Sequence, residues 1–318
     1  MTRVAIVHPT TLLGKELREA LGRRPDLGLE VRLLSAHEEE IGTVTEVAGS
    51  AAFVDRFDPD LLGDEAVVFF CGEIERDRPL VASMPPAPLS VLLSRGAGAG
   101  DGRIEVAGSE ADAPTSGAVV SPHAAVVGLV HLLRALAPLG PREALVTAIQ
   151  PASQFGEVGI EELFGETRGI LAFSGERKHP VFGRQLAFNL LPAAEDDGVG
   201  LSGQVAAALG AMEPVCRVRL LQGSAFHGVA LSVELRFSKP VAAREVASRL
   251  AADPAVETVR AAKRLGPIDA ATSDRILVGE VRADAEGRVW LWAVLDNLTV
   301  GGVLNGIALA ERRFGSAA

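Results

Sequence analysis

Long apolar runs are missing from this chain. With no stretch of about 18 consecutive apolar residues, no membrane-spanning helix is predicted. The opening "MTRVAIVHPTTLLGKEL" has only a short apolar run that ends in His8 and Pro9, too short for a signal core and without a cleavage site. Positive charge is also scarce: 31 Lys and Arg against 41 Asp and Glu give a net charge of −10. That balance argues against nucleic acid and anionic membrane as partners, which need clustered cations. Cysteine appears only at Cys71 and Cys216, far apart and without metal spacing, a usage that fits a reduced cytoplasm. The six histidines show no paired spacing, so no metal site is predicted. What remains is the composition of a soluble globular protein, 48% hydrophobic and 23% charged, and at 318 residues long enough for one large or two medium domains.

The pattern changes along the chain. "RVAIV" followed by a turn and the amphipathic "LLGKELREALGRR" is a strand-turn-helix unit, and "EVRLLSA", "AVVFFCG" and "PLSVLLSR" read as further strands. Strands alternating with helices predict an α/β region with a Rossmann-like, doubly wound parallel sheet over about residues 1–122. The Gly- and Asp-rich "RGAGAGDGRIEVAGSEADAPTSG" reads as loop. Beyond it "LVTAIQ", "CRVRLLQ", "GVALSVELRF", "ILVGEVR" and "RVWLWAVL" are strands, several alternating, which predicts an α+β domain on a mixed sheet over 123–296. The tail "DNLTVGGVLNGIALAERRF" opens a final helix over 297–318, with Arg312 and Arg313 suited to its C-terminal end.

Several stretches bear on chemistry. A dinucleotide turn needs glycines for close approach of phosphate, and "VAIVHPTTLLGKEL" keeps Thr10 and Gly14 but places His8, Pro9 and Thr11 where glycines are usual. "FGRQLAFNLLP" (182–192) and "VLDNLTVGGVLNGIALAE" (294–311) are similar to the "AFNxxP" and "DNLxxGAAxNAxxIAE" segments of the aspartate-semialdehyde dehydrogenase family, and "CRVRLLQGS" resembles its "RVPVxxGHS". The chain resembles that family over nearly its whole length. The resemblance implies reduction of an acyl phosphate to an aldehyde with a nicotinamide cofactor, NADP, in amino-acid biosynthesis. It also implies a Rossmann domain, a mixed-sheet domain that makes a homodimer, and a final helix that returns to the first domain.

Against the family pattern, the sequence departs at the reacting groups. In "VVSPHAAVVGLVHLL" (119–133) the position of the family's nucleophilic Cys is Ala124, and a methyl group cannot attack a carbonyl. Ser121 lies nearby with no evident base. Ser224 stands where the family has its acid/base His, and His227, three residues on, would face the other way if the strand continued. Gln150 and Arg217 match the substrate-orienting Gln and the carboxylate-binding Arg, while Gly301, Gly302 and Asn305 match the region near the nicotinamide; Thr10 and Gly14 complete the implied cofactor contacts. Ser94 and Arg95 match the family's Ser and Arg, though "PEVN" has become "AGSE". Each has a plainer alternative, such as Arg217 pairing with Glu234. The expectation is a family member without dehydrogenase activity, acting as a dimeric scaffold, as a partner of an active relative, or as a regulator binding a small-molecule metabolite. The alternative is an active NAD(P)-dependent oxidoreductase with a different nucleophile.

Overall fold

A computed structural model describes residues 1–108, 116–173, 178–193, 197–210, 214–259, 264–271 and 273–314. Ser109 and Glu110, the end of the "AGSE" segment, and the side chain of Arg312 lie outside the described residues. The chain divides into two compact units, 1–122 with 302–318, and 123–301.

The first unit opens with β1 (Thr2–Val7), α1 (Leu12–Gly22), β2 (Leu29–Ser35), β3 (Val44–Val47), β4 (Ser50–Arg56), β5 (Val67–Phe70), α2 (Ile74–Ala82), β6 (Leu89–Leu92), β7 (Arg103–Ile104) and β8 (Gly117–Val120). They form a sheet in the order β3-β4-β2-β1-β5-β6-β8-β7, parallel except for the β3–β4 pair. Val4 to Val7 and Val67 to Phe70 are wholly buried, as expected of central parallel strands covered on both faces. β7 is a short strand inside the stretch read as loop; two residues with a Gly-rich approach carry too little pattern to be seen in sequence.

The second unit contains α3 (Ala124–Leu136), β9 (Pro141–Gln150), α4 (Gly156–Leu171), β10 (Leu190–Pro192), α5 (Asp197–Leu209), β11 (Val215–Gly223), β12 (Val229–Phe237), α6 (Ala243–Leu250), β13 (Val256–Thr258), α7 (Pro267–Ala270), β14 (Ile276–Ala283) and β15 (Arg288–Leu295). Its sheet is mixed, ordered β10-β11-β9-β12-β15-β14-β13. The apolar α3 lies on one face, so close at Gly128 that a Cβ there would stand 3.1 Å from Leu295. Alternation sends Ala144, Val146, Ala148 and Gln150 of β9 to the buried face, leaving Glu143, Leu145 and Thr147 half-exposed on the other. Thr299–Val303 winds as a turn of π-helix, and α8 (Leu304–Phe314) belongs to the first unit again: Val303, Ile307 and Ala310 join its core, and Thr2 donates to the carbonyl of Phe314. Among the described residues no helix is long and apolar enough to cross a membrane.

Candidate functional site

At the first turn, His8 follows β1 with φ of +60°, the left-handed region that favours glycine. Its ring is 2% exposed. Nε2 lies 3.2 Å from Oδ1 of Asp77, an ion-pair distance, though the two atoms are out of line for a hydrogen bond. On the other side Nδ1 lies 3.4 Å from Oγ of Ser35 and 3.9 Å from Oε2 of Glu40, and the His37 ring sits 4.6 Å away. Asp77, fully buried, accepts from the Ser94 hydroxyl at 2.6 Å and from the Gly72 N–H at 2.9 Å. Glu40 accepts from the hydroxyls of Ser35 and Thr10. Burial works to raise the Glu40 carboxyl, but those hydrogen bonds and the neighbouring His8 and His37 overcome it and hold it below the usual carboxylate value.

Thr10 therefore serves Glu40, and Thr11 caps α1 by accepting from the Gly14 N–H at 3.1 Å. Gly14 has a structural reason to be glycine, since a Cβ there would stand 2.8 Å from Cα of Pro9. Asn305 spends its whole amide within the first unit: it accepts from Ala107 N–H at 2.8 Å and donates to the Glu105 carbonyl at 3.3 Å and the Ser121 hydroxyl at 2.8 Å. Arg95 pairs with Glu73 at 2.6 Å.

In the second unit, His123 is the N-cap of α3: its Nδ1 accepts from the Ala125 N–H at 3.1 Å, so Nε2 carries the proton donated to Oε1 of Gln150 at 3.0 Å. Burial pushes the imidazole down to about 4, against the hydrogen bond to Gln150. Ala124 is 3% exposed, and the backbone of Gly301 packs on it so closely that a Cβ on Gly301 would stand 2.8 Å from Cα of Ala124. Gly301 is held there by its N–H to the Asp296 carbonyl at 2.9 Å, while Oδ1 of Asp296 accepts from Leu298 and Thr299. Asn297 accepts from Gly228 N–H at 2.9 Å and pairs with the Ser153 hydroxyl. The Asp-Asn pair thus shapes the segment beside Ala124.

Gln150 and Arg217 are not brought together. In the β9–β11 register Gln150 faces Gln222 and Arg217 faces Leu145, five residues or roughly 16 Å apart along the strands. They also point to opposite faces: Gln150 is buried toward α3, and Arg217 is exposed and paired with Glu143, not Glu234. Beside Gln150, Oε1 of buried Gln222 has no hydrogen-bond partner among the described residues, while its Nε2 donates to the carbonyls of Gln150 and Gly223. β11 ends at Gly223, so Ser224 and His227 lie in an irregular turn and strand alternation does not govern them; Ser224 is exposed. Cys71 and Cys216 are both raised by burial, Cys216 to about 12, which leaves neither as a thiolate near neutral pH.

One grouping escaped sequence reasoning. Glu162, Glu166 and His179 bring ligand-type atoms within 4.8 Å of one another. The i,i+4 glutamates on α4 were the available signal. Their oxygens already serve the chain: Glu162 accepts from Val181 and Phe182, and Glu166 from Leu186 and Ala187 while facing His179. They pin the "FGRQLAFNLLP" segment to α4.

Comparison with known proteins places this geometry in context. The family model for the semialdehyde dehydrogenase dimerisation domain matches residues 132–300. The chain is 27% identical over 342 aligned positions to an aspartate-semialdehyde dehydrogenase of Streptomyces akiyoshiensis, covering 97% of each. It is 34% identical over 209 positions to a USG-1 protein homolog of Azotobacter vinelandii, covering 61% of each. Among solved structures, a probable aspartate-semialdehyde dehydrogenase from Pseudomonas aeruginosa is similar with a TM-score of 0.88 at 27% identity, covering 100% of this chain and 99% of that one.

Proposed function

The chain belongs to the semialdehyde dehydrogenase family, and from that membership we propose that it is an aspartate-semialdehyde dehydrogenase-like protein without dehydrogenase activity, acting as a homodimeric scaffold. One observation carries the reading: the position that would start α3 with a nucleophile holds the methyl of Ala124, buried under Gly301. Thiolate chemistry on an aldehyde or acyl phosphate needs a sulfur that attacks carbonyl carbon and a base that takes its proton. Ala124 supplies no lone pair, exposed Ser224 is not a base at neutral pH, and the His123 imidazole is committed to capping α3 and to Gln150. Removing such a nucleophile costs on the order of a million-fold in rate where it has been measured in a hydrolase.

The scaffold half of the proposal rests on the second unit, which the dimerisation-domain model covers. The sheet face away from α3 presents Leu145, Thr147, Arg217, Arg219, Ser232 and Trp290, a mixed apolar and charged surface with Trp290 42% exposed. An aromatic and arginines in such a strip suit a self-complementary contact between two copies. NADP is the cofactor that family resemblance brings to the chain, but the residues of the first turn do not fit it.

The test is a turnover assay with aspartate semialdehyde, phosphate and either nicotinamide cofactor, paired with light scattering on the eluting protein. The expected result is a dimer mass with no reduction of cofactor, unchanged in Ala124→Cys because no base accompanies the new thiol. Turnover by the wild-type protein above background would overturn the inactive reading, and a monomer mass would overturn the scaffold.

A further inference from the structure

We propose that the crevice in which the first unit would take a dinucleotide is filled by the protein's own side chains, His8 and Glu40, so that the chain binds neither NAD nor NADP. In open parallel sheets ligands lie beyond the carboxyl ends of the strands, where the chain leaves one strand to the left and its neighbour to the right. Here that point is marked by β1, flanked by β2 on one side and β5 on the other. The residue that leaves β1 is His8, and the segment that leaves β5 reaches Gly72 two residues later.

Glycine at the first of these positions leaves room for phosphate oxygens to approach backbone N–H groups. His8 keeps the left-handed backbone of such a glycine, at φ of +60°, and adds a ring. The ring goes into the crevice: a Cβ built on Gly72 would meet its Cδ2 at 2.9 Å, and Asp77, Ser35 and His37 close around it. A non-glycine residue in this conformation is strained, and the contacts of the buried ring are what hold it there.

Glu40 completes the closure. At this rim the hydroxyls of Thr10 and Ser35 both donate to its carboxylate. The anion that these donors stabilise is therefore part of the chain, and a pyrophosphate arriving there would meet like charge. The end of β2 adds to this. A 2′-phosphate there calls for a free Arg; Arg56, at the end of β4, is engaged by both oxygens of Glu38. The charged groups facing His8 are Asp77 and Glu40, with His37 beside them.

The inference stands on the first unit alone and is tested by binding, so its outcome is separate from that of the activity assay. Calorimetric titration of the full-length protein with NADH and NADPH is expected to give no binding tighter than about 1 mM. His8→Gly suits the existing backbone, and its melting curve checks that it folds. With Glu40→Ser added, the folded double variant is expected to gain at least roughly tenfold in affinity for NADH. Wild-type binding of either nucleotide below about 1 mM overturns the inference whatever the variants do. A folded double variant that gains no affinity also overturns it, since the two side chains would then not be what closes the crevice. A protein that binds NADPH yet turns nothing over would sink this inference and leave the proposed function intact.

Discussion

Two helix starts in this molecule face the same physical demand and meet it with opposite chemistry. At the start of α1, polar side chains crowd together: Thr11 caps the helix, and His8, Glu40, Asp77 and two serines form a buried charged cluster beside it. At the start of α3 the cap is a neutral imidazole, and the next residues are methyl-bearing: Ala124, packed against the backbone of Gly301, and buried Ala125. Each start offers free N–H groups and the positive end of a helix dipole. In each, the protein's own side chains use what a ligand or a reacting atom would use. Under the two proposals above, the difference is one of route: one start is closed by filling its space with side chains, and the other holds a methyl where a nucleophile would stand.

The harshest way to break that comparison is to add a methyl at each start. Gly14→Ala drives a Cβ against the backbone of His8 and Pro9, which no side-chain change relieves, and is expected to cost about 3 kcal/mol or more in urea unfolding. Gly301→Ala strikes Ala124 and is expected to cost a similar amount, about 3 kcal/mol. Here the clash has a removable partner: Ala124→Gly in the same chain should recover roughly half of the loss in a double-mutant cycle. Equal, irreversible losses at both glycines would mean that α3 is not held by methyl-on-backbone packing.

Next in size is a pH effect confined to the α3 start. Burial holds His123 at about 4 in the fold, below the ordinary 6.5. As pH falls, the unfolded chain takes up its proton first, so the contribution of neutral His123 is whole above 6.5, shrinks through the interval and is gone below about 4. Each pH unit in that window costs up to ~1.4 kcal/mol, or about 2–3 kcal/mol in all for a half-buried ring. His123→Asn keeps a capping oxygen without the titration. Its urea midpoint should fall less than that of the wild type between pH 7 and pH 5, and parallel curves would remove His123 from the account.

The two asparagines of the 294–311 segment come third. Asn305→Ala strips three hydrogen bonds from the first unit, and Asn297→Ala strips those to Gly228 and Ser153 from the second. Both are expected to destabilise by ~2 kcal/mol, as buried partners left unpaired do. A loss confined to one of them, seen by hydrogen exchange of each unit's strands, would show that the segment matters to only one unit.

How far the sequence carried the reading differs from element to element. β1 and β5 were legible because strands buried on both faces read as unbroken apolar runs. The spacing of Asp296, Asn297, Gly301 and Asn305 marked a family motif, and the resemblance pointed toward cofactor for Asn305. The structure gives the polar atoms of Asn305 to the protein's own backbone and to Ser121, a role that depends on partners about 200 residues away in the chain. Gln150 and Arg217 looked like two parts of one carboxylate site. Their separation follows from the parallel β9–β11 register and the alternation of faces, which pairwise strand contacts decide and local pattern does not. His8 was visible as an intruder in a glycine turn, but nothing local says that its ring turns inward between two carboxylates.

Arg217 gives the smallest effect and the sharpest limit on the comparison. Its guanidinium is 64% exposed and its only described ion-pair partner is Glu143 at 26% exposure, so Arg217→Ala is expected to cost less than about 1 kcal/mol in a monomeric unfolding measurement. If Arg217 lies in a contact between two copies, dilution should tell: the variant's dimer would dissociate at higher protein concentration than the wild type's, while its unfolding in the monomer range stayed the same. If instead the loss were large and independent of concentration, Arg217 would be a part of the fold of its own unit. The outer sheet face would then need no partner to explain why a strand carries two arginines at alternate positions.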